Sequence, residues 1–158
     1  MLTDEQFTRA VKQNMDAVYR VAVNYLRDPS SAEDVCQEVF LRLFRSKPDF
    51  ESEDHCRNWL IHVCINECRR VLASPWRKTE PLDPESLSLF EDPKDNSTFQ
   101  LVMSLPKKYR IVLYLHYYEG YSAEEIAKLL HIPSATVRSQ LDRGRKQLKQ
   151  LLLEAEHV

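Results

Sequence analysis

Apolar residues in the first 75 positions recur every three or four residues, which is the spacing of amphipathic helices. Thr3 and Gln6 have the spacing of a capping box, so we expect a helix to begin there. Its apolar face comprises Phe7, Val11, Met15, Val18, Val21, Ala22 and Tyr25. Asp28-Pro29-Ser30 then breaks the pattern, because proline does not continue a helix.

Two more helices are predicted in this half of the chain. The second is expected to begin with Ser30 and Glu33 as its cap and to end at Lys47-Pro48-Asp49. The third runs from about Asp54 to Leu72. Its apolar face comprises Trp59, Leu60, Val63 and Ile65. Residues 1–75 are therefore expected to form one small helical domain.

Residues 74–96 have a different composition. Four of the eight prolines fall here, among Ser, Asp and Glu with few large apolar side chains. A structureless stretch of 23 residues is too long for a loop inside one compact domain. The sequence therefore predicts a flexible Pro-rich linker at 76–96, between a domain at 1–75 and a second one at 97–158.

Helical spacing resumes after the linker. A helix is expected near Ser97, with Gln100 as its capping partner, and a stronger one from Lys107 to Tyr118. Only two glycines occur in the chain, and the period-two alternation of β-strands is absent. The fold class expected is all-α, with two small helical domains.

The most specific pattern is a helix-turn-helix at 121–141. Ser122 and Glu125 form a capping box for its first helix. The buried face of that helix comprises Ile126, Ala127, Leu129 and Leu130. His131-Ile132-Pro133 forms a tight turn, and the second helix opens at Pro133 or Ser134 with Val137 inward. His131 is interpreted as a turn residue.

The second helix of this pair has the properties of a DNA recognition helix. An α-helix fits the major groove, where its first turns meet the base edges. Arg138, Ser139 and Gln140 are the side chains that can read bases there. Farther along the helix, a basic strip suited to phosphates comprises Arg143, Arg145, Lys146 and Lys149. An ordinary helix pair with a solvated basic face is the alternative, and the pattern alone leaves it open.

Charge and composition narrow the function classes. The net charge is −2 over residues 1–75, −3 over 76–98 and +3 over 99–158, so a polyanion is the expected partner of the C-terminal part. No phosphate-binding loop or catalytic triad spacing occurs, so an enzyme is not expected. Because no apolar run is long enough to span a membrane, we expect no direct membrane insertion, a cytoplasmic location and reduced cysteines.

The C-terminal motifs resemble those of bacterial RNA polymerase sigma factors. The resemblance is carried by Leu105-Pro106, Gly120-Tyr121-Ser122, Glu125-Ile126-Ala127 and Thr136-Val137-Arg138-Ser139. In that family this domain reads the minus-thirty-five promoter element. The resemblance implies that the DNA-binding residues are Ser134, Thr136, Arg138, Ser139, Gln140, Arg143, Arg145 and Lys146. Ala135, Gln140 and Gly144 depart from the usual pattern, and Gly144 weakens the helix by about 1 kcal/mol relative to alanine.

The N-terminal half carries two further resemblances to the extracytoplasmic-function sigma factors. The stretch from Asp34 to Phe44 resembles their polymerase-binding helix, which implies a docking surface of Asp34, Gln37, Glu38, Phe40 and Leu41. A solvated acidic face is the alternative reading of this stretch. The stretch from Arg57 to Arg70 resembles the segment that melts and reads the minus-ten element. The residues implied there are Arg57, Trp59, His62, Asn66, Arg69 and Arg70, although Trp59 is expected to pack in the core.

The resemblance covers nearly the whole chain and implies a transcription initiation factor. The implied partners are core RNA polymerase, promoter DNA and an anti-sigma factor, with no cofactor and no metal. Two alternatives remain open. One is a stand-alone helix-turn-helix regulator. The other is a metal or redox sensor built on Cys64 and Cys68, with His55, Cys56 and His62 nearby.

Overall fold

The structure is a computed structural model, which describes residues 1–74 and 93–156. The chain divides into two compact units, Met1–Pro81 and Leu82–Val158. All regular structure within the described residues is helical, which confirms the predicted fold class. The predicted linker at 76–96 lies outside these residues except for its last four positions. No helix within 1–74 or 93–156 has both the length and the apolar character needed to cross a membrane.

The described part of the first unit, residues 1–74, contains three helices that all pack against one another. Helix α1 covers Asp4–Leu26, α2 covers Pro29–Ser46 and α3 covers Glu53–Leu72. Their shared core includes the fully buried side chains of Val18, Val21, Val39, Leu43, Leu60, Ile61, Cys64 and Ile65. The predicted apolar faces are only partly in this core, because Met15 is 49% exposed and Trp59 and Val63 are half-buried. Ile61, which was outside the predicted face of α3, is fully buried instead. The three helices therefore hold their outward faces in fixed positions around a single core.

The first two helices begin with different side-chain caps. Thr3 accepts a hydrogen bond from the Gln6 amide at 3.2 Å and the Gln6 side chain accepts one from the Thr3 amide at 2.9 Å, so the predicted capping box is confirmed. The expected Ser30 and Glu33 cap of α2 was wrong. Asp28 is the cap, and its carboxylate accepts a hydrogen bond from the Ser30 amide at 3.2 Å. Pro29 favours this arrangement, because a proline at the first helical position has no amide to satisfy and a suitable φ.

The second unit contains four helices among its described residues. Helix α4 covers Pro93–Met103, α5 covers Lys107–Tyr117, α6 covers Ala123–Leu130 and α7 covers Ser134–Glu156. Helix α4 begins four residues before the expected position at Ser97. Helix α7 packs against the other three helices and so forms the centre of this unit.

Two backbone positions shape the second unit. Gly120, in the turn after α5, has a φ of 76°, a left-handed conformation that glycine adopts without a steric penalty. Gly144 is buried in α7 facing α5, where an added Cβ would lie 3.1 Å from Leu113 Cδ1 and 3.2 Å from Tyr109 Cβ. The sequence presented Gly144 as a weak point of the helix. The structure shows that it permits a close approach of α5 and α7.

Candidate nucleic-acid interface

Helices α6 and α7 form the predicted helix-turn-helix. Ser122 and Glu125 make both hydrogen bonds of the capping box, at 3.1 and 3.0 Å. His131 ends α6 in a left-handed conformation with φ of 58°, and its amide bonds Ala127 O. The interpretation of His131 as a turn residue is therefore confirmed. Val137 and Leu141 are buried as expected, so the opposite face of α7 is turned away from the core.

The predicted DNA-contacting residues of α7 are distributed over that opposite face. Exposed members of the set are Thr136, Arg138, Ser139, Arg143, Arg145 and Lys146. Ser134 and Gln140 are only half-buried, because they lie at the edges of the buried stripe. The exposed set combines side chains that can hydrogen-bond base edges with cations that can contact phosphates.

Three of these cations contact partners within the unit. Arg138 Nη1 lies 3.0 Å from Glu124 Oε1 on α6, and Lys146 Nζ lies 3.1 Å from Asp142 Oδ2 one turn earlier. Arg145 Nη1 donates to the Tyr117 hydroxyl at 3.0 Å. All three contacts are on the surface, where such pairs are weak and exchange readily. The cations can therefore leave these partners when a phosphate or base edge approaches.

In the first unit, α2 presents the acidic face predicted from the sequence. Asp34, Gln37 and Leu41 are exposed, and Glu38 is half-buried beside them. Phe40 is not on this face, because its side chain is only 9% exposed and packs in the core. It supports α2 from beneath, which corrects its assignment as part of the docking surface.

Sequence reasoning missed an apolar extension of this face. Phe44 is 49% exposed and lies against Phe7 of α1, with ring centroids 5.4 Å apart. The Lys47 ammonium lies 5.3 Å from the centroid of the Phe44 ring. The sequence pattern places Phe44 beside the apolar face of α2, which comprises Val35, Val39 and Leu43. Its exposure next to Leu41 adds an apolar edge to the acidic surface.

Five of the six predicted minus-ten residues share one face of α3. At 3.6 residues per turn, the positions of Trp59, His62, Asn66, Arg69 and Arg70 fall within about 100° of helix circumference. Arg57 lies about 160° around the helix from Trp59, so the structure does not bring it together with the other five. Trp59 makes an edge-to-face contact with Phe50, with ring centroids 5.9 Å apart, but it is half-buried and not part of the core as expected.

Arg69 and Arg70 each make a hydrogen bond that fixes the guanidinium group within the unit. Arg69 hydrogen-bonds the phenol of Tyr25, and burial raises the pKa of Tyr25 to about 12. Arg70 donates to Glu67 Oε1, with its Nε at 2.8 Å. The two guanidinium groups are therefore held by different parts of the core. Asn66 and Arg70 remain exposed, whereas Arg69 and His62 are half-buried.

Glu67 is a buried charged residue of α3 that the sequence pattern did not single out. Its side chain is 3% exposed, although it is a carboxylate. It receives hydrogen bonds from Arg42 of α2 and from Arg70 of its own helix. The available signal was its place between Cys64 and Cys68 on an otherwise apolar face, because a buried carboxylate needs charged partners.

The cysteines do not have the environment of a metal or redox centre. Cys36, Cys56, Cys64 and Cys68 are all buried and free. Burial raises the pKa of Cys36 to about 12, and a hydrogen bond with Cys68 together with burial raises the pKa of Cys64. Metal binding and nucleophilic attack need the thiolate, which these shifts disfavour. Within residues 1–74 and 93–156, no three His, Cys, Asp or Glu side chains are grouped as metal ligands.

Two family models match the chain, one in each unit. The model described as Sigma-70 region 2 matches residues 10–78, and the model described as Sigma-70, region 4 matches residues 98–148. The first range includes the α2 and α3 faces described above. The second includes the complete helix-turn-helix. Together the two matches span most of the chain.

Similar curated proteins carry sigma factor names. The ECF RNA polymerase sigma factor SigE of Mycolicibacterium smegmatis is 32% identical over 154 residues, which are 90% of this chain and 60% of SigE. The ECF RNA polymerase sigma factor SigW of Bacillus subtilis is 27% identical, over 94% of this chain and 89% of SigW. The chain thus spans about three fifths of the first relative and most of the second.

Two solved structures share the fold. The sigma factor RpoE of Bartonella quintana, solved with the anti-sigma factor NepR, matches 94% of this chain with a TM-score of 0.68 and 19% identity, over 97% of its own length. CnrH, solved with the cytosolic domain of CnrY, matches 95% of this chain and 89% of its own, with a TM-score of 0.65 and 24% identity. At these identities the two likenesses establish the helical fold.

Proposed function

The chain belongs to the extracytoplasmic-function sigma factors of the sigma-70 family, and we propose that it binds core RNA polymerase and directs it to specific promoters. The observation that carries this proposal is the co-occurrence, in order along one chain, of the region 2 match with its exposed acidic α2 face and the region 4 match with its helix-turn-helix. Such a factor makes and breaks no covalent bond. It acts by differential binding to polymerase and to DNA.

The polymerase-docking surface that we propose consists of Asp34, Gln37, Glu38 and Leu41 on α2. A row of acidic and amide groups next to an apolar edge is suited to a partner helix that carries basic and apolar side chains. The exposed Phe44 ring extends the apolar part of this surface. Phe40 contributes only by holding α2 on the core.

The proposed minus-ten surface is the face of α3 that carries His62, Asn66, Arg69 and Arg70. Bases that leave the duplex can be hydrogen-bonded by amides and stacked on guanidinium planes. Trp59 lies at the start of this face and supports it by packing on Phe50. Arg57, on the other side of the helix, is proposed as a separate phosphate contact.

The minus-thirty-five surface that we propose is the exposed face of α7. Its first two turns present Thr136, Arg138 and Ser139, which can hydrogen-bond base edges in the major groove. Ser134 and Gln140 flank these residues. Arg143, Arg145 and Lys146 follow where a straight helix leaves the groove and meets the phosphates.

The proposed regulation and location follow from the same membership. The RpoE structure contains the anti-sigma factor NepR, and the CnrH structure contains the cytosolic domain of CnrY. We expect this chain also to have an anti-sigma factor. We also expect it to act in the cytoplasm, where polymerase and chromosomal DNA are, and to need no cofactor.

Run-off transcription tests the proposed function. Core polymerase mixed with the purified chain and a genomic promoter library is expected to give discrete transcripts that core polymerase alone does not give. Sequencing their start sites would reveal the promoter elements. Duplex binding without co-purification of core polymerase would instead support a stand-alone helix-turn-helix regulator.

A further inference from the structure

A chain of ion pairs joins the proposed docking surface on α2 to the proposed minus-ten surface on α3. Glu38 Oε1 accepts from Arg42 Nε at 3.2 Å, and Arg42 Nη2 donates to Glu67 Oε2 at 2.7 Å. Glu67 Oε1 accepts from Arg70 Nε at 2.8 Å and from Arg70 Nη2. The two oxygens of one carboxylate are thus divided between two arginines. Arg42 connects Glu67 to the docking surface on α2, and Arg70 lies on the proposed minus-ten surface of α3.

Glu67 is the buried member of this chain. Its side chain is 3% exposed, whereas those of Arg42 and Arg70 are 42% and 69% exposed. A carboxylate removed from water is tolerated only with charged, well-oriented donors, so Glu67 holds both guanidinium groups strongly. Without it, the long and more exposed arginine side chains could adopt many conformations. The buried group therefore fixes the geometry of the two exposed ones.

The contacts leave each arginine with capacity for a second role. A guanidinium has five N–H donors, and Arg70 directs two of them at Glu67. The remaining donors are available on the exposed face that also carries Asn66. Arg42 donates one hydrogen bond to Glu67 and one to Glu38. It therefore restricts the orientation of the Glu38 carboxylate on the docking surface.

We propose that Glu67 is a positioning residue, which presents the Arg70 guanidinium to melted promoter bases and, through Arg42, orients Glu38 for polymerase. This inference rests on the proposed function of the two surfaces. It adds a residue that contacts neither DNA nor polymerase and that affects both through fixed side-chain geometry. Removing its charge is therefore expected to weaken both binding steps, whereas Arg70→Gln weakens only the DNA step and Glu38→Gln only the polymerase step.

The test is a double-mutant cycle in the full-length chain. Glu67→Gln, Arg70→Gln and the double variant are assembled with saturating core polymerase. Wild-type holoenzyme first selects a minus-ten sequence from a randomised pool of single-stranded oligonucleotides. The affinity of each variant is then measured for the selected oligonucleotide and for a scrambled one. Lys12→Gln, which removes an exposed charge from α1, is the control and is expected to leave both affinities unchanged.

Preorganisation predicts a specific pattern in this cycle. Each single variant is expected to weaken binding to the selected oligonucleotide by about 5–10-fold relative to the wild-type chain. The double variant is expected to bind no more than about 2-fold more weakly than Glu67→Gln alone. Equal losses from Arg70→Gln in both backgrounds would overturn the proposal. So would tighter binding of Glu67→Gln to both oligonucleotides, since the carboxylate would then only neutralise a phosphate-binding cation.

The polymerase step supplies the second readout. Glu67→Gln and Arg42→Gln are each expected to weaken core binding about 3-fold, and neither is expected to add to Glu38→Gln. Arg42→Gln changes a partly solvated side chain and serves if Glu67→Gln does not fold. Additive effects with Glu38→Gln, or unchanged core binding by both variants, would overturn the proposal. Failure of the wild-type chain to bind core polymerase would instead overturn the proposed function itself.

Discussion

Gly144 lowers the intrinsic stability of helix α7 but also permits its close packing against α5. Helix propensity alone makes it a weak point, but its missing Cβ allows α7 to approach Tyr109 and Leu113 closely. Gly144→Ala is therefore expected to change the free energy of unfolding by less than about 1 kcal/mol, because the gain in propensity is offset by crowding. Gly144→Val is expected to destabilise by about 1–3 kcal/mol. Urea denaturation followed by circular dichroism measures both, and a neutral Val substitution would contradict the close packing.

The buried cysteines lead to a prediction about chemical reactivity. Burial raises the pKa of Cys36 to about 12, so at pH 8 its thiol is almost entirely protonated, and alkylation needs the thiolate. Native protein treated with iodoacetamide is expected to be modified slowly at Cys36 and Cys64, and rapidly after unfolding in urea. Mass spectrometry of the peptides measures the rates. Fast modification of either thiol in the native state would contradict this prediction and support the redox-sensor alternative.

Arg138 and Lys146 are both exposed cations of α7, yet different roles are predicted for them. Arg138 lies in the first turns, where base edges are within reach, and Lys146 lies two turns later. Arg138→Ala is expected to cost about 1–3 kcal/mol on the cognate duplex and to relax preference at one position. Lys146→Ala is expected to weaken binding on all sequences and to lower the salt slope by about one unit.

Binding titrations of both variants on matched and scrambled duplexes, at several salt concentrations, separate these roles. The ion pair with Glu124 supplies a matched control for Arg138. Glu124→Gln frees the guanidinium without removing it, so sequence preference is expected to persist. An equal loss of affinity on both duplexes in Arg138→Ala would identify this arginine as a phosphate anchor.

At the scale of elements, the helices could be predicted where apolar spacing and a local cap agree. Helix α1 with Thr3 and α6 with Ser122 have both signals, and both start where expected. The start of α2 was missed because Asp28 and Ser30 are both good caps, and only the geometry imposed by Pro29 decides between them. The link from Glu67 to Arg42 could not be predicted, since it joins residues of different helices whose relative rotation the spacing does not specify.

Helix α2 presents the surface on which the proposed polymerase contact depends. Asp34 is exposed, and Glu38 is paired with the partly solvated Arg42, so neither carboxylate is needed for the core. The double variant Asp34→Lys and Glu38→Lys is expected to fold with a stability change of about 1 kcal/mol or less. It is expected to lose core polymerase binding by at least about 100-fold, because both charges would repel a basic partner.

Affinity for core polymerase measures this prediction, with circular dichroism as the test of folding. Asp16→Lys reverses an exposed charge on α1 outside the proposed surface and is the matched control. It is expected to bind core polymerase normally. If the α2 variant still forms holoenzyme at normal affinity, the docking surface lies elsewhere on the first unit.

At the scale of the whole molecule, the distribution of charge between the two units matches their proposed binding partners, core polymerase and duplex DNA. The first unit carries the acidic α2 face, and residues 99–158 carry a net charge of +3 with their cations concentrated on α7. An acidic surface suits a basic protein partner, and a basic helix suits duplex DNA. The two binding tasks therefore need not share residues, and each unit has its own core.

Because each unit has its own core and its own binding surface, we expect the two units to function as separate fragments when the chain is divided between Pro81 and Leu82, the boundary of the two units. Each fragment is expected to fold, the first binding core polymerase and the second binding duplex DNA weakly. In the intact chain, binding of one unit raises the effective concentration of the other at its site. The mixed fragments are therefore expected to give holoenzyme with a promoter affinity about 100-fold or more below that of the intact chain. Rejoining them by peptide ligation should restore it. Equal promoter affinity for mixed and joined fragments would mean that the second unit is held by its own polymerase contacts, and that covalent connection adds nothing to promoter binding.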